Sequence, residues 1–323
     1  GSLTGVRPTK MLRDLEGTHG EAEALRILRE QYDVSEAKLQ LAEQICRVQR
    51  SVLDSVRPGD LDIYVGIPFC TSRCAYCSFY AAKTSRDGTL EEAYVDALLR
   101  EWDALRPVMA AHRIRSVYIG GGTPTIMLDE LCKTIDLARD NFNIKEVSSE
   151  TNPNHLVQPW LNELKGRVQR LSVGVQSFDD GLLKQMDRYE KYGCGQEIME
   201  RIQEASPYFV SMNADMIFNF PAQTEDILIN DIERVIESGC TQTTFYPLMA
   251  SPSVERSLAR TVGKVDYARE QKFYEIISEL LTGGPLHLFE HGSAWTFNKR
   301  NTSAAGEDAM IDEYVVDYEE YPA

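Results

Sequence analysis

The chain has 323 residues, of which 43% are hydrophobic and 26% are charged, and its formal net charge is −16. These proportions are typical of a soluble globular protein with a sizeable core, and the length fits one large domain with an appendage. The acidic balance argues against a nucleic-acid partner or an anionic membrane surface, and no apolar run is long enough to span a bilayer. Since no secretory signal is visible either, we predict a cytoplasmic protein without membrane insertion.

Residues 8–56 have the pattern of helices. Apolar side chains recur at helical spacing with polar residues between them, as at Leu41, Ile45, Val48 and Val52. Ser35 is a candidate N-cap for the helix that carries them, because its hydroxyl can accept a hydrogen bond from a free backbone N–H. The run Arg57–Asp60, which contains a proline and a glycine, ends the pattern. We therefore predict an N-terminal helical segment over residues 1–57.

From residue 58 onward, short apolar runs typical of strands alternate with longer segments of helical period. The predicted strands are Leu61–Ile67, Ser116–Ile119, Glu146–Glu150, Arg170–Val175, Val210–Phe218 and Thr243–Met249. The predicted helices between them include Leu90–Leu105, Leu128–Asn141, Gln196–Ala205 and Glu225–Ser238. Such strand-then-helix units indicate a parallel sheet with crossover helices. Because polar motif residues follow the strands, as at the catalytic end of α/β barrels, we predict an α/β fold with a partial (β/α)6 TIM-like barrel over residues 58–262 rather than an open flat sheet.

The alternation weakens after Gly283 and Gly284. Residues 263–323 are predicted to form a C-terminal helix and a small extension on the substrate side. Within this extension, Asn298–Glu307 is polar and predicts a mobile loop, and Met310–Tyr318 predicts a late strand. The sequence stops abruptly, so we expect the extension to be truncated.

Three of the seven cysteines, Cys70, Cys74 and Cys77, lie in one loop with the spacing C-x3-C-x2-C. Three thiolates from one loop can hold three corners of a cubane iron–sulfur cluster and leave the fourth iron open to a substrate or cofactor, whereas electron-transfer clusters take four thiolates. A zinc site would need a fourth Cys or His nearby, and disulfides would need pairs in an oxidising compartment. We therefore predict the cluster, and we interpret the remaining cysteines as ordinary buried thiols: Cys46, Cys132, Cys194 and Cys240.

Polar or glycine-rich segments follow the next predicted strands. The turn Gly120–Thr125 would let a ligand approach the backbone, although a tight strand–helix turn also explains it. Glu150 can bond a ribose diol or cap a helix. Arg188, one helix after Gln176, can pair with a ligand carboxylate or form a surface salt bridge. Asp215 lies in an apolar run, and a buried carboxylate requires a partner or a ligand.

Together these motifs closely resemble those of the radical SAM superfamily, specifically its HemN-like branch. The resembling segments are Tyr64–Cys77, Gly120–Thr125, Glu150, Arg170–Phe178, Arg188 and Asp215–Thr224. The resemblance implies a partial (β/α)6 barrel and a 4Fe–4S cluster on Cys70, Cys74 and Cys77, whose open iron binds S-adenosylmethionine (SAM). One-electron reduction, by a donor such as flavodoxin or ferredoxin, would cleave SAM to a 5′-deoxyadenosyl radical.

The resemblance also implies which residues contact SAM. The cluster-bound molecule would be contacted by Tyr64, Gly121, Glu150 and a residue near Leu248. Many HemN-like proteins bind a second molecule, and the positions that would contact it are Tyr76, Gly122, Thr123, Gln176, Arg188 and Asp215. We therefore expect one SAM on the cluster and a second one beside it.

The sequence departs from the coproporphyrinogen oxidases of this branch at two places. Ser78 and Phe79 follow the third cysteine where those enzymes have a C-x-C ending, and Gly66 stands in place of their histidine. Cys-x-Phe resembles the haem-chaperone (HemW-like) proteins instead, but Gly292–Phe297 lacks their His-Asn-x-x-Tyr-Trp signature. Leu3–Lys10 resembles the linker of HemZ-like proteins, whereas the C-terminal part does not match them.

Three functions remain open from the sequence. The favoured hypothesis is radical methylation of a planar aromatic or tetrapyrrole substrate, in which the second SAM supplies the transferred carbon. The first alternative is an oxygen-independent coproporphyrinogen III oxidase-like enzyme of haem metabolism. The second is a haem chaperone, for which His287 and His291 could bind iron, although histidines near loops are more often structural.

Overall fold

The computed structural model describes residues 8–74, 76–77, 79, 81–249, 259–260, 262–283 and 288–300. The strand predicted at Met310–Tyr318, most of the loop predicted at Asn298–Glu307, and the residues Ser78 and His287 lie outside the described ranges. No helix within these ranges is both long enough and apolar enough to cross a lipid bilayer.

Helices α1 (Pro8–His19), α2 (Glu21–Glu30) and α3 (Glu36–Leu53) form the N-terminal segment. They share a small core of their own, which consists of Leu12, Ala24, Leu28, Leu39, Ala42 and Cys46. The predicted helical stretch is divided at Gly20 and at Asp33, whose positive φ angles are incompatible with a continuous helix. Ser35 precedes α3 in an extended conformation, as an N-cap does, but its side chain makes no capping hydrogen bond.

The centre of the molecule is a mostly parallel sheet. Its strands are β1 (Asp60–Ile67), β4 (Arg113–Gly121), β5 (Glu146–Thr151), β6 (Arg170–Gln176), β7 (Ser211–Phe218), β8 (Gln242–Pro247), β9 (Phe289–His291) and β10 (Thr296–Lys299). The short strands β2 (Phe69–Cys70) and β3 (Ala82–Lys83) form a separate pair. Strands β1, β4, β5, β6, β7 and β8 lie side by side in this order, and each pair is parallel. They correspond to the strands predicted from the sequence, with ends that differ by a few residues, so the predicted α/β class is confirmed.

Helices connect the parallel strands and cover the sheet. They are α4 (Thr89–Met109), α5 (Leu128–Asn141), α6 (Trp160–Leu164), α7 (Asp180–Gln185), α8 (Tyr189–Tyr192), α9 (Gly195–Ala205), α10 (Glu225–Glu237) and α11 (Glu270–Thr282). Consecutive strand residues are buried, as expected for a sheet that is covered on both faces. The fully buried strand residues include Val117, Ile119, Val147, Leu171, Val173 and Ala214.

Strands β10 and β9 extend the sheet antiparallel beyond β8, so that within the described residues the sheet is open, with β1 and β9 as its edges. The sequence does not predict these two short strands. Asn298 and Lys299 belong to β10, and their assignment to a loop is therefore wrong. The reason is that β10 is held by a distant partner, since it pairs with β8 and the Gln242 amide donates to Asn298 Oδ1 over 2.8 Å.

Candidate functional site

The three clustered cysteines lie at the carboxyl end of β1. Cys70 ends the short strand β2, and the parallel pairing of β2 with β3 closes the base of the cysteine loop. The Cys70, Cys74 and Cys77 thiols are free and partly exposed. Burial raises the pKa of Cys70 and of Cys77. Within the described residues, no three Cys, His, Asp or Glu side chains converge on a single metal position.

This donor set fits an iron–sulfur cluster better than a single metal ion. A lone zinc ion needs four ligands around one point, whereas a cubane distributes its cysteines over different irons, so the thiols need not converge. The buried hydroxyl of Ser72, inside the same loop, has no hydrogen-bond partner in the protein. A buried cation, Arg188, contacts the Cys74 sulfur and would offset the negative charge of a thiolate-bound cluster.

The glycine-rich turn after β4 packs directly on the cysteine strand. The N–H of Gly122 donates to the Ile67 carbonyl over 2.8 Å, and the N–H of Thr123 donates to the Phe69 carbonyl over 2.8 Å. A β-carbon on Gly122 would lie 2.3 Å from the Phe69 oxygen. Gly121 has a φ of 118°, which favours glycine. The close approach of these two backbones therefore accounts for both glycines.

Thr123 links this turn to the first cysteine. Its hydroxyl lies 3.6 Å from the Cys70 sulfur and accepts a hydrogen bond from the Asn152 amide over 2.8 Å. Asn152 directly follows β5, so three strand ends meet at this point. The sequence gives no sign of the role of Asn152, because its partner Thr123 is 29 residues away along the chain.

Glu150, at the end of β5, is joined directly to Gly121 and, through Tyr118, to Tyr64. Tyr118 donates its hydroxyl to one Glu150 oxygen over 2.8 Å, and the N–H of Gly121 donates to the other over 3.1 Å. The Tyr118 ring stacks on Tyr64, with centroids 6.0 Å apart. Burial raises the pKa of Glu150 to about 7, although the Tyr118 hydrogen bond opposes the shift. The structure thus brings together three of the four residues predicted to contact the cluster-bound SAM.

Leu248, the fourth of these residues, directly follows β8. Its side chain is buried, and its N–H donates to the Phe218 carbonyl over 2.9 Å. Leu248 is therefore tied to the end of β7, several strands away from Glu150 in the order of the sheet.

Arg188 is buried beneath the cysteine loop, with only 2% of its surface exposed. One terminal nitrogen donates to the Tyr76 hydroxyl over 3.2 Å and to the Cys74 sulfur over 3.5 Å, and the other donates to the Gly174 carbonyl at the end of β6. The Tyr192 ring lies 4.2 Å from the guanidinium carbon. The Arg188 Nε is buried without a partner. Arg188 therefore belongs to the interior of the site and does not form a surface salt bridge.

Asp215 and Gln176 lie on the neighbouring strands β7 and β6, towards the carboxyl ends of both. Asp215 pairs in register with Gly174, and its carboxylate accepts hydrogen bonds from Ser172 over 2.6 Å and from Asn213 over 2.8 Å. These neighbours are the partners that a carboxylate in an apolar run requires. Gln176 ends β6 with a φ of 75°, a conformation that is uncommon outside glycine.

A clamp made by Arg269 holds the turn that follows β7. Arg269 donates to Asn219 Oδ1 over 2.7 Å, to the Gln223 carbonyl over 2.9 Å and to the Phe220 carbonyl. The Phe220 ring then packs edge-on against Tyr76, with centroids 6.2 Å apart. The sequence does not reveal Arg269, which lies at the start of α11 and reaches the site only in the folded chain.

His287 and His291 are the two histidines considered as ligands of haem iron, and His291 lies within the described residues. Its side chain is buried. Its Nε2 lies 3.1 Å from the Ser278 hydroxyl, and its ring packs on Phe297 with centroids 4.7 Å apart. Burial lowers the pKa of His291 to about 4. These contacts agree with the structural interpretation of this histidine.

Comparison with known proteins gives a consistent family assignment. The Radical SAM superfamily matches residues 64–235. The heme chaperone HemW of Lactococcus lactis subsp. lactis (strain IL1403) is 28% identical over 235 residues, which are 70% of this chain and 60% of that protein. The oxygen-independent coproporphyrinogen-III oxidase-like protein HemZ of Bacillus subtilis (strain 168) is 28% identical over 239 residues, which are 69% of this chain and 46% of that protein.

The fold is also that of a solved structure. Coproporphyrinogen III oxidase (HemN) from Escherichia coli, a radical SAM enzyme, superposes with a TM-score of 0.66 and 22% identity over 83% of this chain and 60% of that chain. The chain therefore spans about half of the length of the curated relatives it matches, with values of 60% for HemW and 46% for HemZ.

Proposed function

The chain belongs to the radical SAM superfamily, and from this premise we propose that it forms a 5′-deoxyadenosyl radical that abstracts a hydrogen atom from a tetrapyrrole side chain. The substrate radical would then lose carbon dioxide and pass its remaining electron to an external acceptor, which completes an oxidation. Membership implies a 4Fe–4S cluster and SAM. When bound, these groups supply a one-electron cleavage of SAM that yields the radical. The observation that carries the proposal is the set of three free thiols in one loop at the carboxyl end of β1.

The residues of the chain itself would hold and orient these groups. Cys70, Cys74 and Cys77 would bind the cluster, and the packing of Gly122 on Phe69 fixes the position of the loop. The group formed by Tyr64, Gly121 and Glu150 would contact the cluster-bound SAM, with a further contact near Leu248. The electron would come from a donor such as flavodoxin or ferredoxin.

A second SAM beside the first remains part of the proposal. Its contacts would come from Gly122, Thr123, Gln176 and Asp215, together with the pair Tyr76 and Arg188. Equilibrium dialysis of the reconstituted protein with labelled SAM would measure the number bound, and a plateau at one molecule per chain would remove the second site.

The tetrapyrrole substrate is supported by the relatives. HemZ and HemN are named for coproporphyrinogen oxidation, and HemW is named a heme chaperone. The favoured hypothesis from the sequence, radical methylation, has no support from these relatives. We therefore place oxidation of a tetrapyrrole first. A haem chaperone is the second candidate, because Cys77 and Phe79 repeat the Cys-x-Phe pattern of the HemW-like proteins.

The radical chemistry is tested by Cys74→Ala in protein reconstituted anaerobically with iron and sulfide. We expect the variant to lose the cluster absorption and about 99% or more of 5′-deoxyadenosine formation, because loss of a group that only supports a metal ligand already costs about 10–100-fold and Cys74 would itself be a ligand. Cys132→Ala is the matched control, because Cys132 is a buried thiol on α5, outside the loop. Retention of SAM cleavage by Cys74→Ala would refute the assignment of the cluster.

The substrate is tested by anaerobic turnover with coproporphyrinogen III and methyl-labelled SAM. Carbon dioxide release without transfer of the label supports oxidation. Label in the product would instead support the hypothesis of radical methylation. Stable haem binding without 5′-deoxyadenosine formation would favour the haem-chaperone function.

A further inference from the structure

We infer that Arg188 and Tyr76 are positioning residues for the Cys74 sulfur and that they raise the reduction potential of the cluster. The inference rests on the proposed function, because it requires a cluster on Cys74. It gives both residues a role that differs from contact with a second SAM. The inference is carried by the buried cation that donates to one of the three cysteine sulfurs.

A buried cation reaches the Cys74 sulfur from inside the protein. The Arg188 guanidinium donates to the sulfur over 3.5 Å, and the same nitrogen donates to the Tyr76 hydroxyl over 3.2 Å. Tyr76 therefore holds the nitrogen that contacts the cluster ligand. Thr123, which lies 3.6 Å from Cys70, is a neutral group, so the buried positive charge is specific to Cys74 among these contacts.

Both terminal nitrogens of Arg188 are held by protein groups, while its Nε is buried without a partner. The second terminal nitrogen donates to the Gly174 carbonyl, and the Tyr192 ring covers the face of the guanidinium. With 2% of its surface exposed, the side chain has no open side toward solvent. Pairing of the terminal nitrogens with the carboxylate of a ligand would require them to leave these partners, whereas their contact with Cys74 already exists in the folded chain.

Tyr76 is fixed by a separate set of contacts. Its ring packs edge-on against Phe220, whose carbonyl is bound by Arg269. The Arg269 clamp thus supports the residue whose hydroxyl holds the Arg188 nitrogen on the Cys74 sulfur.

The direction of the effect follows from electrostatics. Reduction adds negative charge to the cluster, and a buried cation or a hydrogen bond to a ligand sulfur stabilises the more negative state. Arg188 therefore favours the reduced cluster, and Tyr76 does so by holding the Arg188 nitrogen on the sulfur. Without them, the same cluster would be harder to reduce.

The test is a redox titration of the reconstituted protein, without SAM, followed by electron paramagnetic resonance. We expect Arg188→Gln to change the ratio of reduced to oxidised cluster about tenfold at a fixed potential, which is a shift of about 59 mV to lower potential for a one-electron couple. Tyr76→Phe keeps the ring and removes only the hydroxyl, so a shift in the same direction but smaller is expected. Arg188→Lys keeps the charge and should shift the potential less than Arg188→Gln does.

Tyr192→Phe is the matched control, because it removes a phenol hydroxyl beside Arg188 while the ring that covers the guanidinium remains. Unchanged reduction potentials in Tyr76→Phe and in the folded Arg188 variants would overturn the inference. If Arg188→Gln does not fold, the potential of Tyr76→Phe alone decides whether the inference holds. A loss of SAM binding with an unchanged potential would assign both residues to SAM instead. A wild-type protein that assembles no cluster would overturn the proposed function itself, so the two failures are distinguishable.

Discussion

Gly122 shows how backbone contacts fix the position of the cysteine loop. A β-carbon at this residue would lie 2.3 Å from the Phe69 oxygen, with other Phe69 backbone atoms almost as close. The N–H groups of Gly122 and Thr123 donate to carbonyls of the segment that leads into Cys70. The glycine is therefore required by the packing of two backbones, whether or not a ligand approaches the same turn.

We expect Gly122→Ala to push this turn away from β2 and to lower the free energy of unfolding by about 1–3 kcal/mol, as overpacking of a dense region does. Gly17→Ala is the control, because α1 leaves open space around Gly17 and alanine there should stabilise the protein by roughly 0.5–1 kcal/mol. Urea unfolding followed by circular dichroism measures both changes. Equal stability of Gly122→Ala and the wild type would contradict the packing argument.

At the scale of the elements, a buried carboxylate ties α10 to the end of β6. Asp231 accepts hydrogen bonds from the Phe178 N–H over 2.7 Å and from the Ser177 hydroxyl over 2.8 Å. Burial raises the pKa of Asp231 from 3.8 to about 7, although both hydrogen bonds oppose the shift. Because the folded protein binds this proton more tightly, the stabilisation is complete below the unfolded-state pKa and is lost as the pH rises through the folded-state pKa.

Asp231→Asn should remove this loss, because the amide keeps the shape and can bond both partners once the Ser177 hydroxyl reverses its direction. The unfolding free energy of the variant minus that of the wild type should increase by on the order of 3 kcal/mol between about pH 4.5 and about pH 8. Denaturant unfolding at both pH values measures the difference. Asp226→Asn, at an exposed position of the same helix, controls for the change in net charge. Parallel pH curves for Asp231→Asn and the wild type would show that Asp231 titrates normally.

The elements differ in how far the sequence predicts them. The parallel strands β4 to β8 are mostly buried on both faces, so their apolar runs are visible in the sequence. Their order follows from the crossover helices. Strands β9 and β10 are short and depend on pairing with β8, which local periodicity does not encode.

In the candidate site, too, the sequence predicts local features but not contacts between distant segments. The spacing of the three cysteines predicts the cluster loop, because all the ligands are local in the sequence. The contacts of Arg188 with Cys74 and of Arg269 with Phe220 join segments that are far apart along the chain, so only the folded structure reveals them.

At the scale of the whole molecule, the N-terminal helices form a unit with its own core that is joined to the sheet through Gln49. This side chain is buried on α3. Its amide nitrogen donates to the Gly292 carbonyl over 2.9 Å, and its oxygen accepts from Arg13 over 3.3 Å. Gly292 lies in the turn between β9 and β10, so one side chain connects the helical unit with the far edge of the sheet.

Gln49→Met should weaken this connection while preserving the volume of the side chain. The Gly292 carbonyl would lose its partner in a buried position, at a cost of roughly 1–3 kcal/mol. Since the two cores are separate, we expect the cost to appear as faster amide hydrogen exchange in α3 and β9, with little change in β5 and β6. Gln44→Met is the control, because Gln44 lies on the exposed face of the same helix. Equal exchange rates in the two variants would show that packing alone holds the helical unit on the sheet, and uniform acceleration across all strands would show that the unit and the sheet unfold as one body.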